Sequence, residues 1–176
     1  MIIKSKSGVA NLYAMVLVIF IAFGLIAIVL PQAINLTNKH LQKSKYEVMI
    51  TSITELDNTI TKVSANKYNS SKITINNPEE LEIDCSNDKI KANIIYDLDF
   101  RNDTNTNVYG ITINKEKNNL YFEKDYNNTL IDMDCNSFFF GKGENTIIIS
   151  YDDFNSTNSK IKINIYRVTK DINYED

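Results

Sequence analysis

Residues 4–30 read KSKSGVANLYAMVLVIFIAFGLIAIVL, a short segment with two lysines followed by 22 residues without a charge. A helix of about 20 residues, rising about 1.5 Å per residue, spans the roughly 30 Å hydrocarbon layer of a membrane. Residues 9–30 are therefore long enough to cross a bilayer as one helix. Because Lys4 and Lys6 precede the apolar run, the positive-inside rule predicts a cytoplasmic start, with everything after Pro31 outside.

The lysine-rich start differs from a conventional secretory signal. Such a signal has an apolar core of about 7 to 15 residues, with small residues at a cleavage site after the core. Here the core is longer, and the small residue, Gly8, comes before it. This arrangement resembles the class III signal of archaeal type IV pilin-like proteins. In that family a prepilin peptidase cuts just ahead of the hydrophobic helix and leaves the helix on the mature protein.

The resemblance covers roughly residues 4–64 and implies a processing site. It implies that residues 1–8 form a cationic leader, that the cut falls after Gly8, and that Val9 becomes the mature N-terminus. Many bacterial pilins carry a glutamate at the fifth mature position, where this chain has Tyr13. An uncleaved signal anchor for a surface domain has the same lysines and the same apolar run, so both interpretations stand.

The chain after the apolar run has the periodicity of an amphipathic helix. Apolar residues recur at intervals of three and four, and charged or polar residues occupy the opposite face. The apolar set is Leu41, Met49, Ile53, Leu56, Ile60 and Val63, and the opposite face carries Lys43, Lys45, Glu47, Thr51, Glu55 and Lys62. We predict one helix over residues 9–64, with residues 31–64 as its amphipathic half and a kink at Pro31.

Residues 65–176 are predicted to form an antiparallel β-domain. Residues 160–165, KIKINI, alternate so that three isoleucines share one face. The predicted strands are residues 72–76, 81–84, 90–100, 108–114, 120–123, 129–134, 146–151 and 161–168, with turns at 76–78, 102–104 and 118–119 and a hairpin turn at 141–143. The predicted fold class is therefore α+β, a long N-terminal helix with a C-terminal antiparallel β-sandwich or curved sheet.

Cys85 and Cys135 are the only cysteines, and each follows an acidic strand end. Two cysteines on the outer side of a membrane favour a disulfide over free thiols, so we predict a bond between them. The only histidine, His40, lies in the predicted helix, so a His-activated cysteine is not expected. We expect no catalytic residue, no cofactor and no metal site, and therefore no enzyme.

Other patterns offer minor sites. The residues Asp97, Asp99, Asn102, Asp103 and Asn105 offer oxygen ligands for Ca²⁺, but they lack the glycine and terminal glutamate of an EF-hand loop. The basic cluster Lys39, His40, Lys43 and Lys45 is interpreted as a solvated helix face, and the alternative is that it faces lipid headgroups or acidic patches of neighbouring subunits. Five Asn-x-Ser/Thr sequons offer glycosylation at Asn35, Asn69, Asn102, Asn127 and Asn155. The net charge of −3 argues against nucleic acid as a partner.

The sequence supports two functions. The first is a structural subunit or minor component of a type IV pilus-like cell-surface filament, assembled through the helix of residues 9–30. Its partners would be the membrane, copies of itself or related pilin-like subunits, and a prepilin peptidase. The second is a membrane-anchored surface adhesion or stator-like protein with an extracellular β-domain. Both place the chain in the cell membrane with an extracellular domain, and the first also places it in an extracellular filament after processing.

Overall fold

The computed structural model describes residues 6–96 and 105–168. The chain forms one long helix followed by β-sheets, which confirms the predicted α+β class. The helix α1, Lys6–Ser64, contains 59 residues and continues through Pro31; the kink expected there stays a prediction. The strands are β1 (Ser70–Asn77), β2 (Leu81–Asp84), β3 (Lys89–Ile95), β4 (Asn105–Val108), β5 (Ile111–Glu116), β6 (Asn119–Asp125), β7 (Ile131–Asp134), β8 (Phe138–Phe140), β9 (Gly143–Asn155) and β10 (Lys160–Val168), and one turn of 3₁₀-helix, Cys85–Asn87, separates β2 from β3.

The chain divides into two compact units, Met1–Leu41 and Gln42–Asp176. In the first unit, every side chain from residue 12 to residue 41 is exposed. An 18-residue window of this helix is apolar enough to cross a membrane.

The second unit contains the rest of α1 and two sheets. The four-stranded sheet has the order β1-β9-β10-β7, and the six-stranded sheet has the order β4-β5-β6-β3-β2-β8. The described strands pair antiparallel, except that β7 and β10 run parallel. The prediction of an antiparallel domain is thus wrong for this pair. Strands in parallel need a long crossover between them, and here β8 and β9 lie between β7 and β10 in the chain.

The strand predicted over residues 108–114 is wrong, because β4 and β5 form a hairpin whose turn lies inside that range. The chain instead reverses at Tyr109 and Gly110, whose φ angles are +53° and +77°. A two-residue turn with both central residues in the left-handed region matches the twist of the flanking strands. A turn was predicted at residues 118–119, and the hairpin between β5 and β6 has it one residue earlier, at residues 117–118, because Asn119 already pairs with Glu116.

The segment at residues 141–143 is not the predicted hairpin turn. β8 pairs with β2 in the six-stranded sheet, whereas β9 pairs with β1 in the four-stranded sheet. The segment therefore carries the chain from one sheet to the other. β8 itself was not predicted, because its three consecutive phenylalanines show no alternation.

The apolar stripe of α1 is buried against the sheets, as predicted. The side chains of Met49, Ile53, Leu56, Ile60 and Val63 are fully buried and share one core cluster with residues of both sheets. Leu41, expected in the same stripe, is 56% exposed instead. It belongs to the first unit, so the buried part of the stripe lies within the second unit alone.

Candidate functional site

The first candidate site is the exposed apolar segment, residues 12–30 of α1. Its large side chains lie open, as Phe20 at 72% and Phe23 at 67% illustrate. Soluble monomers rarely expose contiguous apolar patches larger than a few hundred Å². Burial of such a surface in lipid or against other helices gains about 25 cal/mol for each Å² removed from water. By length and composition, the segment is apolar enough to cross a membrane.

The predicted processing positions lie at the beginning of α1. Gly8 and Val9 are both helical in the structure, whereas Lys4 lies outside the described residues. The first four N–H groups of a helix have no partner within the helix. Unfolding the first turn of the helix, which would expose the bond between Gly8 and Val9, therefore costs less free energy than unfolding the helix interior. Glycine lowers this cost further, because it weakens a helix.

The predicted disulfide is present. Cys85 and Cys135 are bonded, with their Cα atoms 5.6 Å apart. Cys85 follows β2 in the six-stranded sheet, and Cys135 follows β7 in the four-stranded sheet. The bond therefore joins the two sheets covalently.

Asp88, close in sequence to Cys85, joins the same two sheets through polar contacts. Its carboxylate accepts the N–H of Met133 at 2.8 Å and the ammonium of Lys160 at 2.9 Å. Its own carbonyl accepts the N–H of Tyr126 at 2.9 Å. The φ of Asp88 is +50°, a region that aspartate enters more readily than most side chains.

Asp84 ends β2 and forms an ion pair with a neighbouring strand. Its Oδ2 accepts Lys91 Nζ at 2.5 Å and Asn87 Nδ2 at 2.8 Å. The hydrogen bond from Lys91, followed by that from Asn87, lowers the pKa of Asp84 despite its burial. Among the described residues, no group of three or more His, Cys, Asp or Glu side chains is placed to hold a metal.

Asp57 fixes the C-terminal part of α1 to the six-stranded sheet and its flank. One carboxylate oxygen accepts the hydroxyl of Tyr126 at 2.8 Å, and the other pairs with Lys124 Nζ at 2.8 Å. Burial raises the pKa of Tyr126, and the charge of Asp57 raises it further, so the hydroxyl stays a donor. The sequence offered no signal for this contact, because Asp57 and Tyr126 are 69 residues apart.

The predicted basic cluster divides in the structure. Lys39 and His40 are exposed, and Lys43 lies 3.8 Å from Glu47 with both side chains mostly in solvent. Lys45 differs, because it is half-buried and pairs with Glu79 between β1 and β2. The interpretation as a solvated face therefore fits the first three residues and is wrong for Lys45.

The sequons fall in different environments. Asn35 is exposed on α1, and Asn69 is half-buried before β1. Asn127 uses its Nδ2 to donate to the carbonyl of Asn87 at 2.9 Å, whereas Asn155 accepts the N–H of Thr157 with its Oδ1 and no described residue accepts from its Nδ2. Asn102 lies outside the described residues, as do Asp97, Asp99 and Asp103 of the predicted Ca²⁺ cluster; Asn105 begins β4.

The outer face of the six-stranded sheet carries a cleft that the sequence does not predict. Its volume is about 290 Å³, and its lining comprises Glu80, Glu82, Lys91, Ala92, Asn93, Tyr121 and Phe139. The only signal in the sequence is the alternation of Glu80 and Glu82 with the buried Leu81 and Ile83, and this pattern does not indicate that β8 lies beside them. Comparisons with protein-family profiles, curated proteins and solved structures found no match for this chain.

Proposed function

We propose that the chain is a subunit, major or minor, of a type IV pilus-like cell-surface filament. The observation that carries the proposal is the division of one continuous helix, α1, into two parts. Residues 12–30 expose their apolar side chains, whereas the stripe from Met49 to Val63 is buried on the β-domain. One unit of the chain is thus an apolar helical rod, and the other is a folded domain.

The apolar rod has two environments in this proposal. Before assembly it lies in the membrane, which its length and composition suit. After assembly it packs with the rods of other copies or of related pilin-like subunits, and the β-domains face outward. Association of helices in a bilayer depends on close packing, because lipid tails are as apolar as leucine.

Processing by a prepilin peptidase is the second part of the proposal. The support is the class III-like order of residues, with Lys4, Lys6 and Gly8 ahead of the apolar run. A cut between Gly8 and Val9 removes both lysines. Their charges would be costly inside a core of packed apolar helices but harmless at a membrane surface.

The proposed location of the β-domain is outside the cell, first on the membrane and then on the filament. The role is structural and uses no cofactor, catalytic residue or nucleic acid. Where the host glycosylates sequons, Asn155 at the end of β9 is one candidate acceptor. It precedes the exposed turn between β9 and β10, and its amide nitrogen donates to no described residue.

The substitution Gly8→Leu tests the proposed function. We expect the wild-type chain to start at Val9 by mass spectrometry and to appear in a sheared filament fraction. Gly8→Leu should accumulate uncut in the membrane and vanish from that fraction, because the peptidase needs a small residue at the membrane face. Gly24→Ala is the control, since no atom lies within 4 Å of the added Cβ, and it should be cut normally.

The competing function is a membrane-anchored adhesion or stator-like protein. It predicts a wild-type chain that keeps Lys4 and Lys6 in cells and never enters the sheared fraction. These two results together would contradict the filament function and support the membrane-anchored protein.

A further inference from the structure

The cleft on the six-stranded sheet is formed by outward side chains of four neighbouring strands and the residue before β2. Glu82 on β2 lies opposite Phe139 on one side and Lys91 on the other. Asn93 on β3 lies opposite Tyr121 on β6. The two aromatic residues therefore stand on either side of the glutamates and the asparagine.

The cleft carries excess negative charge. The carboxylate of Glu80 makes no hydrogen bond or ion pair with a described residue, and Glu82 interacts with Lys91 on the neighbouring strand only through its charge, without an ion-pair contact. Among the described residues that line the cleft, the one cation is Lys91, and it already donates to Asp84 at 2.5 Å. The other lysine on this face, Lys89, is equally engaged, at 2.7 Å from Glu123 and 3.4 Å from Asp125. A cationic partner would complete the charge balance of this face.

The aromatic residues in the cleft favour a cation that is attached to an alkyl chain. Phe139 is 60% exposed and Tyr121 is 38% exposed, although both belong to a folded sheet. Aromatic faces attract cations within about 6 Å, and the alkyl stem of lysine packs on apolar surface while its ammonium stays polar. The cleft therefore suits lysine side chains better than a bare metal ion.

A matching pair of lysines lies on α1. Lys39 and Lys43 are four residues apart, so they share one face of the helix with a rise of about 6 Å between them. Glu80 directly precedes β2 and Glu82 is its second residue, and two residues of extended chain correspond to a separation of about 6.6 Å. Lys39 makes no ion pair with a described residue, and Lys43 has only the exposed contact with Glu47 at 3.8 Å.

We infer that the cleft binds Lys39 and Lys43 of a second copy of this chain. The inference rests on the proposed function, because it requires copies to assemble, and it identifies one contact between them. The ammonium groups of one copy pair with Glu80 and Glu82 of the next, and the lysine stems contact Phe139 and Tyr121. The contact is heterologous, so it can repeat from copy to copy along an open assembly.

Carbodiimide cross-linking between two complementary variants tests the contact. One full-length variant carries Glu80→Gln and Glu82→Gln, and the other carries Lys39→Gln and Lys43→Gln. Neither contains both partners, so a cross-link at these positions must join two copies. We expect co-expressed variants, treated in the sheared fraction, to yield a peptide that joins residue 39 or 43 to residue 80 or 82. Absence of that peptide, while other cross-links between copies form, would overturn the inference.

Charge exchange gives an independent test that does not depend on cross-linking. Glu80→Lys with Glu82→Lys places like charges in contact and should reduce the amount of chain in the sheared fraction about tenfold. Lys39→Glu with Lys43→Glu should do the same, and the combination of all four changes should restore assembly. Glu144→Lys, an exposed carboxylate on the other sheet, is the control and should assemble normally. If the combined variant assembles no better than either pair, the inference is wrong.

Failure of the inference is distinguishable from failure of the proposed function. If the wild-type chain is absent from the sheared fraction, both are overturned. If the wild type assembles but the four-fold exchange restores nothing, the filament role stands and only this contact is rejected.

Discussion

Asp84 and Lys91 show how a single ion pair links the β-domain to the pH of its surroundings. An unfolded aspartate has a pKa of about 3.9, and the pKa of folded Asp84 is lower because Lys91 and Asn87 donate to its carboxylate. The stability contributed by the ionised form is thus present above about pH 4 and is lost as the pH falls through the folded value. Asp125, whose pKa the N–H of Asn127 lowers, acts in the same direction.

The substitution Asp84→Asn should remove part of this acid sensitivity. We expect it to lower the free energy of unfolding at neutral pH by about 1 to 2 kcal/mol, since it replaces a charged hydrogen bond. The difference from wild type should shrink as the pH falls below about 4. Urea unfolding of the full chain in detergent, followed by tyrosine fluorescence between pH 7 and pH 3, measures it. Glu116→Gln, at an exposed position, is the control; a constant difference at all pH values would contradict the assignment.

At the scale of the element, α1 was predictable and the small strands were not. The stripe from Met49 to Val63 has a clear helical period, and all five members are buried where the period placed them. β8 shows no alternation of apolar and polar residues, and the strand predicted over residues 108–114 runs through the turn at Tyr109 and Gly110 and contains only the last residue of β4. Hydrophobic periodicity identifies a helix or strand only when one face of it is buried and the other is exposed.

The substitution Ile53→Asp tests the packing of α1 on the sheets. Ile53 is fully buried, so an aspartate there would be an unpaired charge in the core. We expect a loss of at least about 3 kcal/mol in the free energy of unfolding. Asn58→Asp, on the exposed face of the same helix, should change it by less than about 0.5 kcal/mol. Two variants of equal stability would mean that the stripe does not face the core of the domain.

At the scale of the whole molecule, the disulfide predicted from cellular location joins the two sheets. The loop that it closes spans 50 residues, for which chain-entropy arguments give about 4 kcal/mol of stabilisation. Reduction of the full chain should therefore lower its urea midpoint. The double variant Cys85→Ser with Cys135→Ser should have the urea midpoint of the reduced wild type, and reductant should not change it. A wild-type midpoint that is unchanged by reductant would contradict a stabilising role.

The candidate sites differ in how far the sequence could predict them. The exposed apolar segment can be predicted from local sequence, because the composition and length of one stretch are enough to identify it. The cleft cannot be predicted from local sequence, since it forms only when β2, β3, β6 and β8 lie side by side in one sheet. The same holds for the pairing of β7 with β10 and for the contact of Asp57 with Tyr126. Each joins residues whose proximity depends on the completed fold.

The bond between Cys85 and Cys135 also limits how far the domain can be stretched. Five strands, β3 to β7, lie within the loop that the bond closes. A free chain of 50 residues extends to roughly 170 Å, and a pull applied at α1 and at the end of β10 cannot release that length while the bond is intact. Under tension the domain would lengthen only by the segments outside the loop. The disulfide thus limits the extension of the domain, because the force passes through the bond and not through β3 to β6 of the six-stranded sheet.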